Sequence, residues 1–87
     1  MNEKIKILWL SKSLNMTDKQ ISALYDFFKL SSDKDKIYVS STISLKDCDY
    51  ICYDGLRGVS EIKEKYNNIP VLFYCDKTSP EWREYKG

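Results

Sequence analysis

Apolar and polar positions along this chain form blocks that predict strands and helices in turn. The first block, Ile5–Leu10, is a nearly continuous apolar run, which is typical of a parallel strand covered on both faces. The second block predicts a helix over Asp18–Leu30, because its apolar residues recur at helical spacing. The buried face of this helix is predicted to hold Ile21, Leu24, Tyr25 and Phe28.

The start of the first helix carries a specific signal. Thr17 can cap the helix, and Gln20, three residues later, can reach back to the backbone of Thr17, which is the capping-box arrangement. Met16 and Ile21 stand at the two positions where a hydrophobic staple would pack. Strand, loop and helix together predict the opening half of a βαβ unit.

Later blocks continue the alternation of strands and helices. Further strands are predicted over Lys36–Ser41, Asp49–Tyr53 and Val71–Tyr74, and a second helix over Gly58–Tyr66. Between the second and third strands, Ser44 and Asp47 can cap a single helical turn. In the tail, Ser79, Pro80 and Glu81 predict a helix start, from which Trp82 and Tyr85 would pack on the body or on a second subunit.

The order of these elements predicts one α/β domain over residues 1–87. With right-handed crossovers, β-α-β-(short α)-β-α-β forms a small three-layer Rossmann-like domain with a mostly parallel, four-stranded sheet and a short helical tail. The expected strand order is 2-1-3-4.

Composition excludes several classes of function. The formal net charge is +1 with no basic block, which argues against a binder of duplex nucleic acid. No apolar run reaches the roughly 18 residues of a membrane span and no signal peptide is recognisable, so a soluble, cytoplasmic protein is expected. The absence of histidine removes Ser-His and Cys-His catalytic pairs. Cys48, Cys52 and Cys75 have no metal-ligand spacing and are expected to be reduced thiols, so neither a metal nor a cofactor is predicted.

The candidate ligand-binding residues lie at the carboxyl ends of the predicted strands, where open α/β sheets bind their ligands. Each strand is followed by polar residues, and three of the exits carry one cation each: Lys12, Arg57 and Lys77. Cations, hydroxyls and helix N-termini suit a phosphate-bearing ligand. The competing interpretation is that these are solvated loops, with Thr17 only a helix cap.

Sequence motifs limit which phosphate ligand is expected. Neither GxGxxG nor GxxxxGKS occurs, so dinucleotide binding and nucleotide hydrolysis by the familiar loops are not predicted. Gly55 and Gly58, on either side of Leu56 and Arg57, could form a phosphate turn or simply a turn before the second helix. Tyr53, at a strand exit, is a candidate for stacking on a base. The predicted ligand-binding residues are Ser11, Lys12, Ser13, Asn15, Thr17, Tyr53, Gly55, Arg57, Gly58 and Lys77; no catalytic residue is assigned.

The segment KILWLSKSLNMTDKQISALYDFF resembles the start of very small CRISPR-associated proteins related to CARF (CRISPR-associated Rossmann-fold) domains. The matching residues are Leu10-Ser11, Met16-Thr17 and Gln20, and the later DYICYDGLRG and IPVLFYC fit the strand–helix–strand ending of such proteins. Where the family pattern often has a basic residue followed by His after Leu-Ser, this chain has Lys12-Ser13.

This resemblance implies a homodimer that binds cyclic oligoadenylate across its two-fold axis, with metal-independent cleavage of the ring, as in ring nucleases, left open. Ser11, Lys12 and Ser13 would then hold phosphate, and Arg57 or Lys77 would balance charge. The absence of histidine weakens the expectation of ring cleavage more than the expectation of ligand binding. The alternative hypothesis is a non-enzymatic interaction module, an inhibitor or accessory subunit, that works through its surface and its aromatic tail.

Overall fold

The computed structural model describes residues 4–11, 15–30, 36–75 and 81–86. Within them lie β1 (Ile5–Trp9), α1 (Asp18–Phe28), β2 (Ile37–Ser40), β3 (Tyr50–Asp54), α2 (Val59–Lys65), β4 (Val71–Cys75) and β5 (Glu81–Glu84). They form one sheet in the order β2-β1-β3-β4-β5, in which β1 to β4 are parallel and β5 is antiparallel to β4. The structure confirms the α/β class and the predicted order of the four parallel strands, and it is compatible with a Rossmann-like fold.

The fifth strand corrects the prediction of a helical tail. Glu81–Glu84 pairs with β4, and burial alternates along it: Trp82 is 3% exposed, whereas Glu81 and Arg83 point into solvent. Burying a large indole on one side of a strand outweighs the local preference of these residues for a helix start. The predicted cap, Ser79 and Pro80, lies outside the described residues.

Helix α1 begins as predicted. Thr17 Oγ1 accepts a hydrogen bond from the Gln20 N–H at 3.1 Å, and Gln20 Oε1 accepts one from the Thr17 N–H at 3.0 Å. Met16 is buried, and Ile21 packs against the same core, as a hydrophobic staple requires. The helix ends at Phe28, two residues before the predicted end, because Lys29 adopts a left-handed conformation with φ 57°.

The connection from β2 to β3 contains no helix. Ser44 and Asp47 interact as predicted, through the Asp47 N–H to the Ser44 carbonyl at 3.0 Å and the Ser44 hydroxyl to Asp47 Oδ2 at 3.2 Å, but they close only a turn. Asp49 then ties the connection to β1: its N–H donates to the Lys6 carbonyl, and its Oδ2 accepts from the Lys6 N–H at 2.9 Å. Asp49 therefore has a structural role at the amino end of the sheet.

Alternating residues of the central strands form a core on each face of the sheet. On the α1 face, Trp9 and Trp82 meet edge-on with ring centroids 6.4 Å apart. The α2 face is smaller and is built on Leu8, Ile51, Val59 and Val71. Neither helix in the described residues has the length and apolar character that crossing a bilayer would require.

Candidate functional site at the carboxyl end of the sheet

The parallel arrangement of β1 to β4 brings the ends of these strands to one side of the domain. Their last residues are Trp9, Ser40, Asp54 and Cys75, and the described polar residues that follow them include most of the predicted site. Ser13, Lys12 and Lys77 lie outside the described residues. The structure therefore describes seven of the ten predicted ligand-binding residues: Ser11, Asn15, Thr17, Tyr53, Gly55, Arg57 and Gly58.

A hydrogen bond between Ser11 and Asp54 links the segment after β1 to the end of the neighbouring strand β3. The Ser11 hydroxyl oxygen accepts a hydrogen bond from the Asp54 N–H, and the Leu10 N–H donates to the Cys52 carbonyl at 3.1 Å just before it. These bonds hold the half-buried Ser11 beside the turn that follows β3. Because a serine hydroxyl can donate while its oxygen accepts, Ser11 can still offer a proton to a ligand oxygen.

The turn after β3 needs both of its glycines. Gly55 has φ 124° and Gly58 has φ 84°, conformations that side chains other than glycine rarely adopt. A Cβ atom on Gly58 would also lie 3.2 Å from the Tyr53 hydroxyl, so the turn rests on the half-buried Tyr53 ring. The Gly55 N–H donates to the Tyr74 carbonyl at 3.0 Å. The N–H groups of Asp54 and Gly55 are thus used within the protein, and side chains have to supply the contacts to a ligand here.

The helix starts offer less to an anion than expected. At α1, the N–H groups of Thr17 and Gln20 are used in the capping box, and the exposed Asp18 adds a negative charge to the first turn. Helix α2 has only seven residues and has no side-chain cap at Gly58. Asn15 is exposed beside Thr17, where both side chains can reach a ligand in solvent.

The exit of β2 is polar but internally paired. The hydroxyl oxygens of Ser40 and Thr42 lie 3.1 Å apart, and the Thr42 N–H donates to Ser40 Oγ at 3.1 Å. This hydroxyl pair caps the end of the strand. It shows how a serine-rich exit is used for local structure, as the solvated-loop interpretation expects.

The described residues at the carboxyl end of the sheet carry both positive and negative charges. Arg57 is exposed within the glycine turn, and Asp54 and Asp18 are exposed carboxylates. Within the described residues Arg57 is the candidate cation for a ligand phosphate. Sequence reasoning missed that Asp54 lies beside Ser11, because a contact between residues 43 positions apart follows from sheet register and not from local pattern.

The described thiols are not activated. Burial raises the pKa of the Cys52 thiol well above its usual range. Burial also raises the pKa of Cys48, with a further contribution from the Asp49 and Asp47 carboxylates. Both side chains are therefore protonated at neutral pH, which makes them poor nucleophiles and poor metal ligands. Among the described residues, no group of three or more acidic, cysteine or histidine side chains could hold a metal ion.

An open cavity of about 300 Å³ lies at the other end of the sheet. The connection between β2 and β3 and the turn after α2 line it, with Leu45, Lys46, Lys65, Tyr66, Asn67, Asn68 and Ile69. Its lining carries the ammonium groups of Lys46 and Lys65 and the side-chain amides of Asn67 and Asn68. No local sequence pattern predicts that Lys46 and Lys65 line one cavity, because the fold brings these two residues together.

Comparison with known proteins adds no relative: no family model matches this chain, and neither a curated protein nor a solved structure is significantly similar to it. The resemblance to small CARF-related proteins stays a prediction. The candidate site therefore has to be judged on its own chemistry.

Proposed function

We propose that this protein binds a phosphorylated nucleotide at the carboxyl end of its sheet. The observation that carries the proposal is the pairing of Ser11 with the Asp54–Gly58 turn, next to the exposed Arg57. A hydroxyl held in place by the fold, an exposed guanidinium and an aromatic ring at one end of a parallel sheet suit a phosphate joined to a base.

Each described group has a distinct part in this proposal. The Ser11 hydroxyl donates to a phosphate oxygen, and Arg57 supplies the positive charge, which it can place from solvent without rearrangement of the core. Tyr53 packs partly against the α2-face core and under the glycine turn, so a base would stack only on the part of its ring that stays exposed. The exposed Asp54 carboxylate repels a phosphate, so we expect the phosphate to bind at a distance from this carboxylate.

The ligand we propose is a cyclic oligoadenylate, for which the small CARF-related proteins provide the analogy. Cleavage of such a ring needs no metal: a ribose 2′-hydroxyl attacks the neighbouring phosphorus, the P–O5′ bond breaks, and a 2′,3′-cyclic phosphate and a 5′-hydroxyl result. The 2′-hydroxyl proton passes to solvent as the 5′-oxygen takes one up. The protein's contribution would be to align these atoms and stabilise the developing charge.

A thermal-shift panel tests the proposal. Cyclic mono- and dinucleotides, cyclic tetra- and hexa-adenylate and linear oligoadenylate are each added at 100 times the expected Kd, and chromatography of the ligand follows. A ligand that binds only the folded protein adds about 2.7 kcal/mol at that excess, which raises Tm by about 10–20 °C for a domain of this size. A linear product would identify an enzyme. No shift with any nucleotide would reject nucleotide binding.

Three variants locate the bound ligand. We expect Arg57→Ala to weaken nucleotide binding about tenfold and Asp54→Asn, which keeps the backbone N–H, to strengthen it, both measured by isothermal titration calorimetry. Lys46→Ala, which removes a cation from the cavity at the opposite end, is the matched control and should leave Kd unchanged. The reverse pattern, with loss only in Lys46→Ala, would place the ligand in that cavity and contradict the proposed site.

A second candidate function is a non-enzymatic interaction module. The observation in its favour is an uncharged edge strand, β2, with Tyr38 exposed at its centre. The predicted role of the tail in such an interaction has to change, because Trp82 is buried in the chain's own core. Deleting residues 79–87 would remove β5 and test folding more than binding.

A further inference from the structure

The two edge strands of the sheet differ in how they are protected. Within the described residues, β2 pairs only with β1, and β5 only with β4. A free edge offers N–H and C=O groups to another strand, and proteins commonly block it with charged side chains. Strand β5 carries Glu81, Arg83 and Glu84 among its four residues, whereas β2, with the sequence IYVS, carries no charge.

Tyr38 stands at the centre of the uncharged edge and is 48% exposed. Its neighbours Ile37 and Val39 pack against the core on the α1 face. Because side chains alternate along a strand, Tyr38 points to the other face of the sheet, the α2 face. Helix α2 packs on β4, which is three strands away from β2.

Hydrogen bonds between β1 and β2 fix which backbone groups point outward. Ile5 lies opposite Ile37, and its N–H donates to the Lys36 carbonyl at 2.8 Å. In a parallel pair this places the backbone groups of every second residue, Lys36, Tyr38 and Ser40, toward β1. The N–H and C=O groups of Ile37 and Val39 therefore point away from the sheet.

We propose that β2 pairs antiparallel with β2 of a second copy, around a two-fold axis at Tyr38. In this register Ile37 faces Val39 of the other copy on both sides of the axis, and four hydrogen bonds use every outward group of the two residues. The two Tyr38 side chains meet at a non-hydrogen-bonded position, where side chains are closest and aromatic pairs are favourable. Lys36 faces Ser40 of the other copy, so no like charges oppose each other.

The dimer has a consequence for the candidate site. Antiparallel joining makes one ten-stranded sheet in which the carboxyl ends of the two copies lie at opposite ends. Each chain would then hold its own nucleotide, with one ligand per chain, and not share one ring across the axis. Only this stoichiometry rests on the proposed function; the dimer itself needs no nucleotide.

Sedimentation equilibrium of the free protein tests the pairing. A contact between two four-residue strands is small, so we expect a weak dimer with Kd on the order of 100 µM, measured up to about ten times that concentration. Tyr38→Lys puts two ammonium groups at the axis and should weaken the dimer at least tenfold. Glu84→Lys places a lysine on the other edge strand, β5, and should leave the dimer Kd unchanged. A monomer at all concentrations, or an effect of Glu84→Lys alone, would overturn the proposal.

Disulfide trapping tests the register. In a Cys48→Ser background, Tyr38→Cys should form a disulfide-linked dimer under mild oxidation, because opposed residues of paired strands meet the distance that a disulfide needs. Ser40→Cys lies on the same strand and face, but its two copies would be about 13 Å apart and should cross-link at least tenfold more slowly. Equal rates for the two variants would contradict the register even if the protein dimerises.

Discussion

The two edges of this sheet are built for different neighbours. Strand β5 is secured by its own chain: Trp82 is buried against Trp9 and Tyr74, and its Nε1–H donates to the Gln20 carbonyl at 2.9 Å. Its solvent side is charged. Strand β2 is also held by its own chain, because Ile37 is buried in the same core and the Lys36 N–H donates to the Tyr25 hydroxyl of α1 at 3.1 Å. Its central side chain, Tyr38, is nevertheless exposed. Charged side chains therefore protect the β5 edge, whereas the β2 edge is uncharged and has an exposed tyrosine at its centre, as a pairing surface would.

The comparison also separates folding from binding. Changes on β5 should act on the stability of the monomer, because its central residue joins the strand to α1 across 62 positions of sequence. Changes at the exposed positions of β2 should act on association and leave the monomer intact. The following predictions test that separation, and they are ordered by expected effect.

Replacement of Trp82 with alanine should have the largest effect. It removes the indole from the α1-face core and leaves a cavity, at a cost of about 3–5 kcal/mol in the free energy of unfolding. For a domain of this size that is a large fraction of total stability. Urea unfolding followed by circular dichroism measures it. A loss below about 1 kcal/mol would mean that β5 is not anchored through this residue.

Trp82→Phe should have an intermediate effect. The phenyl ring fills most of the space but has no N–H for the Gln20 carbonyl, so we expect a loss of about 1–2 kcal/mol. The same unfolding experiment measures it. If the phenylalanine variant were as unstable as the alanine variant, the hydrogen bond to α1 and not the packing would hold the edge.

Single alanine substitutions at Tyr38 and Arg83 should have the smallest effects in dilute solution, each within about 0.5 kcal/mol. Tyr38 is half-exposed, and the Arg83–Glu81 ion pair, at 3.1 Å, lies in solvent and is screened. The two variants should differ at high concentration, where only Tyr38→Ala reduces dimerisation. A large loss of monomer stability in Tyr38→Ala would show that the Tyr38 side chain packs within its own chain and is not reserved for a partner.

Much of the fold was predictable because its signals are local. The Thr17–Gln20 capping box needs only four consecutive residues, and the apolar run Ile5–Leu10 predicts a strand covered on both faces. The tail was not predictable in this way: Ser79, Pro80 and Glu81 suggest a helix start, while the deciding contact, from Trp82 to α1, is far away in sequence. The Ser44–Asp47 pair shows the same limit, since one interaction can close a turn or start a helix.

By itself the sequence determined the α/β class and the polar character of the strands' carboxyl ends, because periodicity, capping and turn residues act between near neighbours. The order of the parallel strands followed from the right-handed crossover rule and the common doubly wound strand order. Tertiary structure alone decided that the tail adds a fifth strand, that Ser11 contacts Asp54, that Lys46 and Lys65 share a cavity, and that the outward backbone groups of β2 are those of Ile37 and Val39. These features depend on register and on the burial of side chains distant in sequence, where packing energy exceeds local preference.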